Sequence, residues 1–313
     1  MKYAPAGADP DPGWDYSPCE TVKGVARALQ QRHARRGDGA ASAIRDQPGC
    51  ITLVKALQEQ MRQAAEMTGE PTVLRAAWEE GFPPVLIYAS ERATKAHPLY
   101  QAAKGGNAEA AVGLVLDLVG EGSLSELSRH RSSGAILLPV HATEEAGVNA
   151  IPVALAACIA GVTGLEVSTG VVQVTRALHT GASGWWRIRS QPVFEGEVEA
   201  GRSYVLVDDF VGMGGTLANL RGYVLAKGGR VLGAATLTGK GRSATLALDP
   251  QTLAKLRSAY GRDLESWWRA RLGFGFDELT ESEAQYLLRA GAADTIRDRI
   301  AQAQPAGDAG AGP

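Results

Sequence analysis

The chain has 313 residues, enough for one hydrophobic core with additional elements, and its 45% apolar and 21% charged residues are typical of globular proteins. A net charge of -2 provides no basic face for a nucleic-acid backbone, so nucleic-acid binding is disfavoured. The widely spaced Cys19, Cys50 and Cys158 indicate neither a disulfide framework nor a cysteine metal site, and no apolar run has the length of a membrane span. We therefore expect a cytoplasmic protein that does not bind a membrane.

Residues 14–125 are predicted to be mostly helical and to follow a disordered tail at residues 1–13. Apolar residues recur at helical spacing in 21–36 and 51–67, which predicts two amphipathic helices. Pro83 and Pro84 precede a short apolar run that predicts a strand, and 97–119 predicts a helix with a break at the Gly105–Gly106 pair.

The central region alternates between strands and helices. Apolar runs predict strands at 135–140, 166–175, 203–209 and 230–238, with helices at 150–159 and 216–227 between them. This alternation predicts an α/β core at 126–245, in which a mainly parallel sheet of about five strands is flanked by helices. A helical C-terminal extension is expected at 246–303, where Thr280 and Glu283 have capping-box spacing, and a disordered tail at 304–313.

One segment, 204–217, carries a pattern with chemical meaning. An apolar strand leads to Asp208 and Asp209, then to a glycine-rich turn, Thr216 and a helix. The free amide groups at a helix N-terminus favour a phosphate, and glycine lets the main chain approach it closely. Adjacent carboxylates suit a ligand that presents sugar hydroxyls and a hydrated magnesium ion beside that phosphate.

The same segment has two other interpretations. The first is a strand-to-helix turn that is acidic without binding anything. The second is a dinucleotide-binding turn, because Gly212 and Gly214 have the spacing of its opening glycines. This second interpretation is disfavoured because Leu217 stands in place of the third glycine and no acid ends the following strand.

The segment resembles the phosphoribosyl pyrophosphate (PRPP) signature of type I phosphoribosyltransferases, and the core would then have that family's fold. The resemblance implies that Asp208 and Asp209 lie against the ribose hydroxyls and that Mg2+ is held mainly by ligand oxygens and water, with no direct protein ligand. Met213 departs from the family's usual hydroxyl residue, and Phe210 from a smaller aliphatic one. The implied PRPP-binding residues are Asp208, Asp209, Phe210, Val211, Gly212, Met213, Gly214, Gly215 and Thr216.

Two further segments resemble parts of the same family. Val140, His141 and Ala142 follow a strand as the family's pyrophosphate loop does, and this segment resembles the competence-associated branch of the family. The usual basic residue of the pyrophosphate loop is missing. The stretch 176–191 lies where the family has a mobile loop, so Arg176, His179, Arg187 and Arg189 would supply the missing positive charge. His141 and His179 are otherwise ordinary loop residues, and the basic residues a solvated loop.

The resemblance implies an enzyme, a PRPP-dependent glycosyltransferase that transfers the phosphoribosyl group to a nitrogen nucleophile, a nucleobase, and releases pyrophosphate. Asp208, Asp209, Arg187 and Arg189 would be its catalytic residues. The alternative is a non-catalytic module that senses PRPP or a nucleotide, because Met213 and the pyrophosphate loop both lack groups that the family uses. The helical ends would serve a partner or a homodimer.

Overall fold

The computed structural model describes residues 50–52, 54–56, 58–59, 73–144, 147–175 and 183–304. The predicted tail at 1–13, the helix at 21–36, Cys19 and all but the first residue of the tail at 304–313 lie outside this described part. The described residues within 50–59 are helical. Cys50 and Cys158 are both buried and form no disulfide, and their thiols are hydrogen-bonded to each other, which joins this helix to the core.

A five-stranded sheet forms the centre of the described fold. Its strands are β1 (Leu86–Ser90), β2 (Ile136–Pro139), β5 (Glu166–Val167), β8 (Ser203–Val211) and β9 (Arg230–Gly239). They lie in the order β1–β9–β8–β2–β5, and all four neighbouring pairs are parallel. The expected α/β class with a mainly parallel, helix-flanked sheet is confirmed. Its central strand β8 is buried along almost its whole length, as parallel strands covered on both faces are.

Helices connect these strands and cover the sheet. They are α1 (Glu91–Ala96), α2 (Tyr100–Lys104), α3 (Ala108–Leu118), α4 (Glu121–Leu124), α5 (Ile151–Thr163), α6 (Gly184–Arg189) and α7 (Gly215–Ala226). Gly105 and Gly106 separate α2 from α3. The almost fully buried α5 has Pro152 in its first turn and ends at Gly164, whose φ of 72° is left-handed and suits glycine.

Two small antiparallel ribbons lie outside the main sheet. The first pairs β3 (Thr143–Glu144) with β4 (Gly147–Val148), and the second pairs β6 (Val171–Gln173) with β7 (Phe194–Gly196). The strand predicted at 166–175 is therefore two short strands in different sheets, because the chain leaves β5 at residues 168–170. The central sheet also begins with β1, upstream of the predicted core boundary at 126, since β1 pairs with β9.

The C-terminal part of the described chain is helical. It comprises α8 (Pro250–Leu272), α9 (Glu281–Leu288) and α10 (Ala293–Gln302), with 3-10 turns at Gly241–Ser243 and Phe276–Glu278. Gly261 is non-helical within α8 and bends it. These helices bury an apolar cluster of their own around Trp268, Phe274 and Phe276, and Thr280, the N-cap of α9, bonds the turn after β8.

Candidate functional site

The acidic pair lies at the carboxyl end of the central strand and is held by groups from two other elements. Asp208 and Asp209 are 6% and 9% exposed. The Lys104 ammonium, at the end of α2, lies 2.8 Å from Oδ2 of Asp209. The Asn149 side chain also hydrogen-bonds Asp209, whose own amide donates to Oδ1 of Asp208 at 2.8 Å. The two carboxylates are therefore fixed before any ligand arrives.

The two carboxyl groups have opposite pKa shifts. Burial raises the pKa of Asp208 well above its usual value, and the neighbouring Asp209 charge adds to this. Burial acts in the same direction on Asp209, but the Lys104 ammonium together with hydrogen bonds from Asn149 and Asp208 outweighs it and leaves the pKa of Asp209 lowered. The pair thus favours one negative charge, on Asp209, with Asp208 the more easily protonated partner.

The glycine turn, residues 212–216, follows directly and opens α7. Gly214 has a φ of 85°, a left-handed conformation that glycine adopts without strain. The first amides of α7 have no carbonyl partner within the helix, and no side chain of the described residues caps it. The whole turn lines the same cleft as the acidic pair, so free helix amides and carboxylates face one space.

The opposite side of the turn, its rear face, is bonded to the C-terminal part of the chain. The Ser243 hydroxyl donates to the Gly212 carbonyl at 2.5 Å, and the Thr280 hydroxyl donates to the Met213 carbonyl at 2.6 Å. A Cβ built on Gly214 would lie 2.4 Å from Cδ2 of Leu246. Glycine at 214 is thus required by close packing on the rear face as well as by its dihedral angle.

A buried ion pair supports this rear face, and one of its members, Glu283, also lines the cleft. Arg75 makes two hydrogen bonds of 2.6 and 2.9 Å to the Glu283 carboxylate, and the side chains are 0% and 2% exposed. Arg75 also donates to Asn219 on α7 and to Gln191, and stacks 4.2 Å from the Phe274 ring centroid. Glu283 in turn accepts from the Thr280 amide within the capping box that opens α9. These bonds join α7 to α9 through one guanidinium group.

Three basic side chains are among the other residues that line the cleft. Nη1 of Arg187 lies 3.1 Å from the position that a Cβ on Gly212 would take. Lys95 and Lys104 also line the cleft, and the Lys95 ammonium lies 5.6 Å from the Phe210 ring centroid. The cleft has a volume of about 260 Å³, sufficient for a small phosphorylated molecule.

The structure separates the residues that the sequence had grouped. Val140 and Ala142 line the cleft, whereas His141 between them is 5% exposed and burial lowers its pKa to about 4. Arg189 does not line the cleft: its guanidinium donates to the carbonyls of Ala301 and Ala303 at the end of α10. Arg176 and His179 lie outside the described residues.

The predicted mobile loop is partly regular structure. Residues 184–189 form α6, and the Ser183 hydroxyl accepts a hydrogen bond from the Trp186 amide at the helix start. This helix places Arg187 toward the cleft and Arg189 toward the C-terminal end. The resemblance implied that both arginines supply positive charge to the site, but the 3.6-residue helical period turns them to different sides of α6.

Several cleft residues were missed by sequence reasoning. Lys95 and Lys104 lie on α1 and α2, more than a hundred residues before the acidic pair, and no motif connects them to it. Asn149 lies two residues before α5, where its Oδ1 accepts from the Ile151 amide, and its side chain contacts Asp209 from there. The Gly147-Val-Asn-Ala sequence signals a helix start, but not that contact.

Comparison with known proteins gives two relatives and no matching family model. The chain is 40% identical over 231 residues, 74% of its length, to an Escherichia coli protein named TraN. It is 37% identical over 157 residues to an uncharacterized Haemophilus influenzae protein. The chain spans about half of the first relative and a third of the second, at 51% and 35% of their lengths.

This similarity corrects the functional prediction. The relative that shares 40% identity over three quarters of the chain is named TraN, not a phosphoribosyltransferase. The prediction of a PRPP-dependent transferase of nucleotide metabolism is therefore wrong. None of the helices in the described ranges is both long and apolar enough to cross a bilayer. Those same ranges contain no group of three His, Cys, Asp or Glu side chains placed to hold a metal ion.

Proposed function

We propose that the cleft after β8 binds a small phosphorylated sugar, with the phosphate on the glycine turn and the sugar hydroxyls on the acidic pair. The observation that carries this proposal is one shared space: Asp208, Asp209 and residues 212–216 line it together with basic side chains. A phosphate alone would leave the acidic pair without a partner, whereas a ligand with hydroxyl groups beside its phosphate has donors for the oxygens of both side chains.

The electrostatics support an anionic ligand. Arg187 lines the cleft with Lys95 and Lys104, which are paired with Glu91 and Asp209, and the unbonded amides of α7 add their partial positive charge at the turn. PRPP, the ligand implied by the sequence resemblance, belongs to this chemical class, as does ribose 5-phosphate. The parallel sheet with its acidic pair and turn at the carboxyl end of β8 also supports the type I phosphoribosyltransferase fold, without that family's reaction.

The side chains of the cleft are compatible with a magnesium ion that is bound mainly by the ligand and not by the protein. Carboxylate oxygens are suitable ligands for Mg2+, but Lys104 already neutralises Asp209 and burial favours the protonated form of Asp208. The ion would therefore be bound mainly by phosphate oxygens and water, with Asp208 as the protein oxygen that could accept from its water shell. Magnesium would neutralise charge on the ligand.

Isothermal titration calorimetry tests the proposal. Ribose 5-phosphate and PRPP, each with and without Mg2+, are titrated into the full chain, with ribose and inorganic phosphate as matched controls. We expect the phosphorylated sugars to bind at least about tenfold more tightly than either control, because only they engage both halves of the cleft. Equal or undetectable binding of all four compounds would contradict the proposal. That the site also catalyses a reaction stays a prediction.

A further inference from the structure

We infer that Ser243 and Thr280 are positioning residues that hold the glycine turn in its anion-binding conformation from behind. The inference rests on the proposed function and deepens it, because it assigns part of the binding site to the C-terminal helical part of the chain. It begins from the two carbonyls of Gly212 and Met213, which accept hydrogen bonds of 2.5 and 2.6 Å from these hydroxyls.

The geometry of the peptide bond connects these carbonyls to the cleft. In a trans peptide the C=O of one residue and the N–H of the next point in opposite directions, and the chain has no cis peptide bond in its described part. A Gly212 carbonyl held at the rear turns the Met213 N–H away from the rear face. The Met213 carbonyl does the same for the Gly214 N–H. Two amides are thus directed away from the C-terminal helices.

The rear face leaves the turn little freedom to rotate. A Cβ on Gly214 would approach Leu246 Cδ2 to 2.4 Å and Thr280 Cγ2 to 3.2 Å, and one on Gly215 would approach Glu283 Oε1 to 2.9 Å. The main chain therefore lies in direct contact with these side chains. If the carbonyls rotated into the cleft, their oxygens would oppose a phosphate, so the rear bonds favour the binding conformation.

The two hydroxyl groups are themselves fixed. Thr280 is the N-cap of α9, where its hydroxyl accepts from the Glu283 amide at 3.1 Å while it donates to Met213. Ser243 accepts from the Ser282 hydroxyl at 3.0 Å while it donates to Gly212. Both are buried, at 0% and 1% exposure. Each hydroxyl therefore has its single proton committed to a turn carbonyl.

Matched serine and threonine variants test this inference. Ser243→Ala removes the donor to Gly212, whereas Ser282→Ala removes a hydroxyl from the same network that does not contact the turn. Thr280→Val removes the donor to Met213, whereas Thr280→Ser retains both hydrogen bonds. We expect Ser243→Ala and Thr280→Val to weaken ribose 5-phosphate binding by about tenfold, and the two control variants to stay within about twofold of wild type.

Hydrogen exchange of the ligand-free protein provides a second readout that does not depend on the ligand. Exchange of the Ala218 amide, which donates to the Gly214 carbonyl of the turn at 2.9 Å, should accelerate in Ser243→Ala and Thr280→Val, but not in Ser282→Ala or Thr280→Ser. If wild type binds no phosphorylated sugar, the proposed function fails while exchange still decides the inference. An exchange rate in Ser243→Ala equal to that of wild type would overturn the inference, even if Thr280→Val proved too unstable to measure. Affinity unchanged by both substitutions would also overturn it.

Discussion

The cleft face and the rear face of the glycine turn differ in how their polar groups are bonded. On the rear face, the carbonyls of Gly212 and Met213 accept from buried hydroxyls, and Arg75 and Glu283 complete a closed network. On the cleft face, α7 begins without a side-chain cap from the described residues. One face therefore contributes mainly to stability, and the other retains the donors that a ligand needs. Substitutions on the two faces should separate these contributions.

The largest effect is expected from the ion pair behind the turn. Arg75→Met should lower the free energy of unfolding by about 3–5 kcal/mol, because it leaves the Glu283 carboxylate buried without its partner. Urea denaturation measures this loss. The double variant Arg75→Met/Glu283→Met should recover part of it, since no buried charge then remains.

The surface pair of Arg202 and Glu166 is the control for this prediction. Its side chains are 38% and 43% exposed, so Arg202→Met should change stability by less than about 1 kcal/mol. Equal losses from the two single substitutions would mean that the Arg75 network does not stabilise the rear face more than an ordinary surface contact does.

The next effect is expected at Gly214. Gly214→Ala combines a left-handed φ with a Cβ contact of 2.4 Å to Leu246, so it should destabilise the protein by about 2–4 kcal/mol and abolish ligand binding. Gly201→Ala is the matched control, because its φ of 77° is similar but nothing lies within 4 Å of the added Cβ. It should cost only about 1 kcal/mol of backbone strain.

Thermal and urea unfolding of the two glycine variants compare these costs directly. If Gly214→Ala is no more destabilising than Gly201→Ala, the close packing of the rear face against the turn is not energetically significant.

A third, intermediate effect depends on pH and concerns His141, between two cleft-lining residues. Burial lowers its pKa to about 4 in the folded protein, while the unfolded chain keeps a value near 6.5. Below about pH 6.5 the unfolded chain binds a proton that the folded protein binds only near pH 4. The free energy of unfolding therefore falls as the pH drops from about 6.5 to 4. Between about pH 7 and pH 5 this loss is about 2 kcal/mol.

Urea denaturation of wild type and His141→Gln at both pH values measures this loss. The variant should lose about 2 kcal/mol less than wild type over the same interval, whatever its absolute stability. Parallel pH dependences of the two proteins would show that His141 is not the group responsible.

The smallest effect is expected on the cleft face, where binding should change with little loss of stability. Arg187→Gln should weaken binding of ribose 5-phosphate by about tenfold, because Arg187 lines the cleft beside Gly212. Arg189→Gln should leave the affinity within about twofold of wild type, because its guanidinium bonds the carbonyls at the end of α10. Calorimetry distinguishes the two variants, and a reversed order would mean that the cleft is not the binding site.

The sequence predicted the sheet well because its strands are contiguous apolar runs. All five predicted runs overlap strands of the central sheet, and β8 carries Asp208 and Asp209 at the expected end. The glycine turn and its helix were also predictable, since strand, turn and helix are adjacent in the chain. The reaction was not, because the PRPP-dependent transfer inferred from their resemblance is contradicted by the TraN relative. The ligand of these elements stays a prediction.

Contacts across long sequence distances escaped the prediction. Thr280 bonds Met213 across 67 residues, and Arg75 bonds Glu283 across 208. Neither pair has a local pattern, because the rear face forms only when the C-terminal helices pack against α7. The cleft lysine that pairs with Asp209 escaped for the same reason. Local propensity finds the elements, whereas tertiary packing decides which polar groups stay free.

A crystal structure of the chain with ribose 5-phosphate would show where this ligand binds. We expect the phosphate within hydrogen-bond distance of the backbone amides at 213–216, and the sugar hydroxyls within reach of Asp208 and Asp209. A phosphate bound elsewhere on the molecule, or a turn whose carbonyls have rotated into the cleft, would contradict this expectation.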